Sequence, residues 1–179
     1  MQNKKIVITG KMGSGKSTIL KRLNEKRIIY ADDWAKEFMN SKNFLRILNQ
    51  KKVYDLNYIK NNFFKNKKIK KMVESIVHPR FYRYLSKIKG SYIVEIPIYF
   101  ETEKIANENG FFPDKIIYID VEKRIRLKRL RIQRKMKKND ILEREQYFLT
   151  DDSVKTKTNF IIKNNCSGSA ISQLKEFLQ

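Results

Sequence analysis

The segment GKMGSGKS, residues 10–17, has glycine at its first, fourth and sixth positions and ends in lysine and serine. It fits the pattern G-x-x-x-x-G-K-[ST], which binds the phosphates of a nucleoside triphosphate when it lies between a strand and a helix. The apolar run KKIVITG (4–10) predicts a buried parallel strand, and GKSTILKRLNE (15–25) predicts a helix. A glycine-rich turn that matches by chance is the alternative. The match and its context favour a phosphate-binding loop.

The residue types of this loop predict how the work is divided within it. Three glycines allow backbone N–H groups to face phosphate oxygens without interference from a Cβ atom. Lys16 is expected to reach the β- and γ-phosphates, and the Ser17 hydroxyl is expected to bind Mg²⁺. The predicted nucleotide-binding residues are Gly10, Lys11, Met12, Gly13, Ser14, Gly15, Lys16, Ser17 and Thr18. GTPases, ATPases, small-molecule kinases and motor proteins share the pattern, and the missing N-K-x-D motif argues against a GTPase.

Short apolar runs recur along the rest of the chain and predict four further strands, RIIYA (27–31), SYIVEIP (91–97), KIIYID (115–120) and NFIIKN (159–164). A mostly helical stretch is expected from Trp34 to about Lys89, where five apolar residues follow helical spacing: Ile69, Met72, Val73, Ile76 and Val77. The basic segment 123–138 predicts a helix or a mobile segment, and SAISQLKEFL predicts a closing helix. Strands that alternate with helices indicate a parallel α/β sheet.

Composition limits the classes of protein that fit. The 179 residues include 41% hydrophobic ones, which is enough for a folded core. The single cysteine, Cys166, cannot form an intrachain disulfide, and no apolar run approaches the length of a membrane span, so a cytoplasmic location is expected. The net charge of +21 leaves two explanations open: a compositional bias together with anionic small-molecule ligands, or RNA binding.

Several acidic residues stand where predicted strands end. In YADDWA (30–35), Asp32 is expected to accept a proton from a hydroxyl group, and Asp33 is expected to cap a helix that starts at Trp34. Glu95 ends the run SYIVE and fits either an acid near Mg²⁺ or a solvated residue at the end of a strand. Asp120 is expected to cap or hinge the basic segment that follows it.

Taken together and in order, these motifs resemble the dephospho-CoA kinase family. The resemblance rests on the loop ITGKMGSGKST, YAD (30–32), IVHP (76–79), EIPIYFE (95–101), PDKIIYID (113–120), an arginine-bearing lid and FIIKNN (160–165). It implies a P-loop, nucleotide-monophosphate-kinase-like parallel sheet of about five strands flanked by helices. It also implies the ATP- and Mg²⁺-dependent phosphorylation of the ribose 3′-hydroxyl of dephospho-CoA, the last step of coenzyme A synthesis. A single domain is expected, with core segments 1–31, 90–121 and 151–179, a helical acceptor-binding insertion at 32–89 and a lid at about 122–150.

The resemblance also implies roles for individual residues. Asp32 matches a catalytic base and Arg129 a lid arginine near the transferring phosphoryl group, whereas Arg134 is out of register by one residue and Gln146 matches only loosely. The implied acceptor-binding residues are His78, with its neighbour Pro79, and Pro97 and Glu101 in a loop after the third strand; Asn164 joins the nucleotide site, and Ser17 and Glu95 join the metal site. Tyr30 replaces an aspartate of the family, and no arginine matches the family position near 55–60. His78 alternatively precedes a helix that Pro79 starts.

Two alternatives to this function stay open at the level of the sequence. One is a nucleoside or nucleotide kinase with the same fold. The other is an RNA-binding protein that uses ATP as a switch, an idea motivated by the net charge of +21. The sequence contains no aromatic-rich platform of the kind that binds single-stranded RNA, so RNA binding is expected to be weak and nonspecific.

Overall fold

The computed structural model describes residues 4–23, 27–50, 55–63, 65–165 and 168–178. Cys166 and the last two residues of the first predicted helix, 24 and 25, lie outside the described residues. The five strands are β1 (Lys5–Thr9), β2 (Ile28–Tyr30), β3 (Tyr92–Glu95), β4 (Lys115–Asp120) and β5 (Phe160–Lys163). The helices are α1 (Lys16–Lys21), α2 (Ala31–Met39), α3 (Lys42–Gln50), α4 (Leu56–Asn62), α5 (Lys67–Lys87), α6 (Tyr99–Glu108), α7 (Lys123–Ile132), α8 (Lys138–Glu145), α9 (Asp151–Lys155) and α10 (Ser169–Leu178).

The strands form one five-stranded sheet in the order β2-β3-β1-β4-β5, and every pairing is parallel. The predicted parallel α/β fold is therefore confirmed. Side chains alternate along the central strand β1: Ile6 and Ile8 belong to one apolar cluster, and Val7 between them is fully buried as well. Both faces of this strand are covered, which explains why its sequence is a continuous apolar run.

The chain divides into two compact units. The first, called the sheet unit below, comprises Met1–Tyr30, Lys89–Glu103 and Pro113–Gln179, and the second, the helical unit, comprises Ala31–Ile88 and Lys104–Phe112. In the sheet unit, apolar side chains of α1 and α10 pack against those of β1, β3, β4 and β5 in one cluster. This packing places the end of β1, the phosphate loop and the start of α1 on a buried apolar support.

The helical unit has an apolar core of its own. Its buried members come from α3, α4 and α5 and are Phe44, Leu48, Ile59, Ile69, Val73, Ile76 and Val77. Two of these helices begin at side-chain caps, because the Asp55 side chain accepts a hydrogen bond from the Tyr58 N–H and the Asn66 side chain accepts from the Lys68 and Ile69 N–H groups. The apolar stripe expected within 69–77 is thus the buried face of α5.

Several local expectations were wrong. Helix α2 begins at Ala31 and not at Trp34, so Asp33 lies inside its first turn rather than at the capping position. Pro79 lies inside the long helix α5 and does not start a helix. By contrast, the helix that was one of two alternatives for the basic segment is confirmed over its first part, α7. No helix within the described ranges is both long and apolar enough to span a bilayer.

Candidate active site

The phosphate loop connects β1 to α1. At two of its glycines the loop backbone lies so close to neighbouring groups that a side chain would not fit. Gly10 has φ 143°, and a Cβ atom there would lie 2.7 Å from the carbonyl oxygen of Ile119 on β4. Gly15 has φ 91° and stands at the N-terminal cap of α1, where a Cβ atom would lie 2.5 Å from the Asn164 side-chain nitrogen. Any other residue at these positions would combine backbone strain with a steric clash. The loop therefore presents its backbone N–H groups at the N-terminus of α1, the arrangement that binds anions.

Lys16 lies at the centre of this loop. It is 6% exposed, and its ammonium group donates to the carbonyl oxygens of Gly10 at 2.6 Å and Lys11 at 3.2 Å. The Ser14 hydroxyl lies 3.4 Å from the same nitrogen. Backbone carbonyl oxygens of the loop itself hold this buried ammonium group in place. The loop thus holds a cation at the place where phosphate charge is expected.

Ser17 and Glu95, which the sequence assigns to a metal site, are in direct contact. The Ser17 hydroxyl donates to a carboxylate oxygen of Glu95 at 2.9 Å, and Glu95 is 7% exposed at the end of β3. This burial disfavours the alternative of a solvated acid. A hydroxyl oxygen and a carboxylate beside the phosphate loop are hard oxygen ligands of the type that Mg²⁺ prefers.

Arg129 lies beside the loop as well. One of its guanidinium nitrogens, Nη2, donates to the carbonyl oxygen of Asn164 at 2.8 Å. The other, Nη1, is buried and has no hydrogen-bond partner among the described residues, and it lies 3.7 Å from the position of a Cβ atom at Gly15. A buried cationic donor without a partner is costly, so an anion at this position would relieve the cost.

A cleft of about 280 Å³ opens next to these groups. Its lining includes Gly15 and Thr18 of the loop and helix α1, together with Arg129, Arg134 and Asn164. Arg134 is exposed and follows α7, so it borders the cleft from the solvent side. Gln146, the loosely matched residue, is exposed at the C-terminal end of α8 and does not line this cleft.

One residue that sequence reasoning missed, Arg126, also contacts the phosphate loop, beside the predicted Asn164. Arg126, on α7, is 4% exposed, donates to the carbonyl oxygen of Met12 at 3.2 Å and forms an ion pair with Glu145 on α8. Asn164, expected to bind nucleotide, donates its side-chain N–H to the Ser14 carbonyl at 2.7 Å. Within a run of lysines and arginines nothing distinguishes Arg126, because its burial depends on the chain folding back at α8. Its partner Glu145 lies outside that run, on α8, so the pairing has no signal in the sequence.

Asp32 and Asp33 occupy the first turn of α2 and are both exposed. The Asp33 carboxylate pairs with Lys36 one turn later, at 3.2 Å. Acidic residues in this turn interact favourably with the helix dipole, which accounts for Asp33 without a capping hydrogen bond. Asp32 belongs to the helical unit and the phosphate loop to the sheet unit, so its catalytic role stays a prediction. Tyr30, at the position of the missing aspartate, packs against the apolar cluster of the sheet unit.

His78 lies on α5 in the helical unit and is half-buried. Burial, with a smaller contribution from the positive charge of Lys70, lowers the pKa of His78 from 6.5 to about 4. Its imidazole is therefore neutral near pH 7 and can donate one hydrogen bond and accept another. This state suits the binding of a polar ligand but not the transfer of a proton at neutral pH.

The remaining predicted residues have structural contacts of their own. The Pro97 carbonyl accepts from the Thr9 hydroxyl at 3.2 Å. Glu101 lies in the first turn of α6 rather than in a loop, and its carboxylate accepts from the Leu149 N–H at 2.8 Å. Asp120 forms an ion pair with Lys155 at 2.9 Å and does not cap α7, because that helix begins three residues later. Pro97 and Glu101 both line one small pocket of the sheet unit.

Comparison with known proteins identifies the family. The family model for dephospho-CoA kinase matches residues 5–170. A dephospho-CoA kinase of Helicobacter pylori is 24% identical, with 97% of this chain and 95% of that protein covered. One from Campylobacter jejuni is 26% identical, with 89% of this chain and 87% of that protein covered.

Solved structures support the same fold. A Campylobacter jejuni dephospho-CoA kinase superposes with a TM-score of 0.59 at 25% identity and covers 97% of this chain and 96% of its own. Protein TT1252 from Thermus thermophilus gives a TM-score of 0.74 at 21% identity, covering 99% of this chain and 97% of its own. A shikimate kinase from Acinetobacter baumannii gives a TM-score of 0.61 at 16% identity and covers 99% of this chain and 92% of its own. The last two similarities show only the fold. Because the family model matches residues 5–170, which is most of the chain, this chain belongs to the dephospho-CoA kinase family.

Proposed function

We propose that this kinase transfers the γ-phosphoryl group of ATP to the ribose 3′-hydroxyl of dephospho-CoA, which gives coenzyme A and ADP. The observation that carries the proposal is the family match over residues 5–170. The buried Lys16 and the Ser17–Glu95 contact beside a complete phosphate loop support it. The shikimate kinases share the fold at 16% identity and do not indicate the acceptor.

The phosphates of ATP would bind along the loop, where Lys16 neutralises charge on the β- and γ-phosphates. Arg129 would contribute its Nη1, which has no partner among the described residues and lies next to Gly15. A loose phosphoryl-transfer transition state spreads negative charge over the equatorial oxygens, so a fixed guanidinium group at this position stabilises it. The adjacent cleft beside Thr18 and Arg134 would hold the nucleoside part.

Ser17 and Glu95 would hold Mg²⁺. Their oxygens fit the ion, because Mg²⁺ in kinases usually takes one or two protein ligands and fills the other positions with phosphate oxygens and water. The ion would supply charge neutralisation at the phosphates. Glu95 orients the Ser17 hydroxyl through the 2.9 Å hydrogen bond, so it would act on the metal directly or through this serine.

Asp32 would accept the proton of the 3′-hydroxyl as its oxygen attacks the γ-phosphorus and the bond to the β-phosphate oxygen of ADP breaks. It follows the last residue of β2 by two positions along the chain, which supports this role. His78, Pro97 and Glu101 are the proposed acceptor contacts. Since His78 is neutral at pH 7, it would bind the acceptor by hydrogen bonds.

The helical unit also has a cavity suited to the base of the acceptor. It measures about 510 Å³, and its lining includes Trp34 and Phe38, which stack with 5.1 Å between ring centroids, together with Arg46 and Arg80. Aromatic rings stack on adenine, and arginine binds phosphate. Trp34 is the only tryptophan of the chain, so its fluorescence reports on this cavity. Dephospho-CoA is expected to change it in titrations, whereas pantetheine, which has no base, is not.

The function is tested by ADP release from ATP with dephospho-CoA, AMP, a nucleoside, shikimate and RNA offered in turn. Turnover with dephospho-CoA, and analysis of the product as coenzyme A, is the expected result. Preferred turnover with AMP or a nucleoside would favour the nucleoside or nucleotide kinase instead. RNA is expected to bind weakly and to lose affinity steeply with salt, since scattered lysines bind phosphates without sequence preference.

The expected cytoplasmic location and the single-domain organisation stay predictions.

A further inference from the structure

Two carbonyl groups of the phosphate loop are held by side chains from outside the loop. The Met12 carbonyl accepts from Arg126 at 3.2 Å, and the Ser14 carbonyl accepts from Asn164 at 2.7 Å. Peptide bonds here are trans, so the C=O and the N–H of one peptide plane point in opposite directions. The N–H groups of Gly13 and Gly15, which follow these carbonyls, are therefore turned away from the two side chains.

The same side chains also pack against the glycines. A Cβ atom at Gly13 would lie 3.1 Å from Cγ of Arg126 and 2.9 Å from Cγ of Leu130. At Gly15 it would lie 2.5 Å from the side-chain nitrogen of Asn164. Both glycines have positive φ, 82° and 91°. These glycines thus allow two supporting side chains to touch the loop, in addition to leaving room for phosphate.

Arg126 is held in turn by α8. Its guanidinium group is buried, and Glu145, whose side chain is 19% exposed, forms the ion pair that compensates the charge. A buried guanidinium group needs such a partner, because removing the partner leaves an uncompensated charge. The chain of contacts therefore runs from Glu145 on α8, through Arg126 on α7, to the peptide plane between Met12 and Gly13.

We propose that Arg126 is a positioning residue that fixes the Met12–Gly13 peptide so that its N–H is available to phosphate, with Glu145 holding Arg126 in place. The proposal rests on nucleotide binding at this loop, which is part of the proposed function. An unsupported peptide plane can rotate and turn its carbonyl oxygen toward the phosphates, which repels them. Preorganised N–H donors avoid this reorganisation on binding.

The first experiment measures ATP affinity by calorimetry without any acceptor, so it is independent of the identity of that acceptor. Arg126→Met keeps the length of the side chain but cannot donate to the Met12 carbonyl. We expect the Kd for ATP to rise about tenfold or more, as for the loss of a charge-assisted hydrogen bond. Arg124→Met, an exposed residue on the same helix, is the matched control and should leave the Kd unchanged. Arg126→Lys, which keeps a donor, should recover part of the loss.

The second experiment separates positioning from stability. Arg126→Met alone leaves the Glu145 carboxylate without its partner, whereas Arg126→Met/Glu145→Gln removes both charges. Replacing both members of a buried pair is often neutral for stability, so this double variant should melt near the wild type and still bind ATP about tenfold more weakly. Glu145→Gln should have no further effect on ATP affinity once Arg126 is methionine.

In steady-state kinetics the double variant should raise KM for ATP and leave KM for dephospho-CoA unchanged. A folded double variant that binds ATP as tightly as the wild type would overturn the proposal. If ATP binds as expected but dephospho-CoA is not phosphorylated, the proposed function fails while the role of Arg126 stands.

Discussion

The sheet unit and the helical unit hold their candidate functional residues in different ways. In the sheet unit, Lys16, Ser17 and Glu95 are fixed by hydrogen bonds of 2.6–2.9 Å to each other or to the backbone. In the helical unit, the predicted base Asp32 is exposed in the first turn of α2, on a support made of packed aromatic and aliphatic side chains. Phosphate binding thus relies on preorganised polar contacts, and the proposed acceptor side relies on apolar packing.

The two units differ in how specific their contacts need to be. Phosphate groups are the same in every nucleotide, so a rigid cradle of N–H groups and one cation can serve them all. Acceptors differ in shape, and the cavity of the helical unit is lined by aromatic, aliphatic and polar side chains, Trp34 and Arg46 among them.

The largest effect is expected at Lys16, which hydrogen bonds hold in the phosphate loop. Lys16→Ala should lower the rate of phosphoryl transfer by about 10³–10⁵-fold, the range for removing a charge from the transferring phosphoryl group, while the protein stays folded. Lys21→Ala, at the exposed C-terminal end of the same helix, is the control and should keep normal turnover. Coupled ADP-release assays together with circular dichroism test both variants. Near-normal turnover of a folded Lys16→Ala variant would contradict the assignment.

The next effect concerns the helical unit. Asp32→Asn preserves the shape of the side chain but cannot take a proton, so turnover should fall about 10²–10⁴-fold with little change in ATP affinity. The neighbouring Asp33→Asn removes only a pairing with Lys36 on an exposed surface, which should cost less than about 1 kcal/mol and leave turnover within a few-fold. Steady-state kinetics with dephospho-CoA and thermal melts distinguish the two. An inactive Asp33→Asn beside an active Asp32→Asn would shift the register of the base by one residue.

The two units also differ in how much the sequence could predict. The strand, loop and helix around Lys16 follow one another within about twenty residues, so local pattern was enough for both fold and residue types. The Ser17–Glu95 contact joins residues 78 positions apart. The sequence pointed to both as metal-site residues but left a solvated acid open for Glu95, and their direct contact was not predicted.

Other features depend on tertiary contacts that a pattern does not contain. The burial of Arg126 requires α8 to bring Glu145 against it, and a run of basic residues gives no sign of this. The sequence predicted a start at Trp34, because aspartate is a favoured capping residue and Asp33 comes just before it. In the structure α2 already begins at Ala31, so Asp33 lies inside the helix and does not cap it. Glu101 was expected to contact the acceptor. In the structure its carboxylate accepts a hydrogen bond from the Leu149 N–H, a tertiary contact that the local pattern does not contain.

A smaller effect is expected at Glu95 in the sheet unit. Glu95→Gln keeps a hydrogen-bond acceptor for Ser17 but removes the negative charge, so the Mg²⁺ concentration for half-maximal activity should rise about 10-fold or more. Glu103→Gln, which removes a pairing with Lys157 instead, should not change the Mg²⁺ requirement. Activity measured against Mg²⁺ at saturating ATP tests this expectation. An unchanged requirement in Glu95→Gln would remove Glu95 from the metal site.

The smallest effect concerns stability in the helical unit. Burial lowers the pKa of His78 to about 4, so between pH 6.5 and about 4 the unfolded chain binds a proton that the folded chain does not. The contribution of His78 to the free energy of unfolding is therefore complete above pH 6.5. This contribution, at most about 3 kcal/mol, is lost as the pH falls toward 4. Glu74 changes the free energy of unfolding in the opposite direction as the pH falls, because burial raises the pKa of its carboxyl group.

His78→Gln separates the two contributions, since glutamine keeps a polar side chain but does not titrate. Urea unfolding at several pH values between 7 and 4.5 should show a flatter pH dependence of the free energy of unfolding in the variant than in the wild type. The turnover of wild-type enzyme between pH 6 and 8 should also show no ionisation that His78→Gln removes, because the imidazole stays neutral throughout that range. Equal pH slopes for the two proteins would mean that His78 titrates near its ordinary value, and a protonated imidazole would then be available to the acceptor.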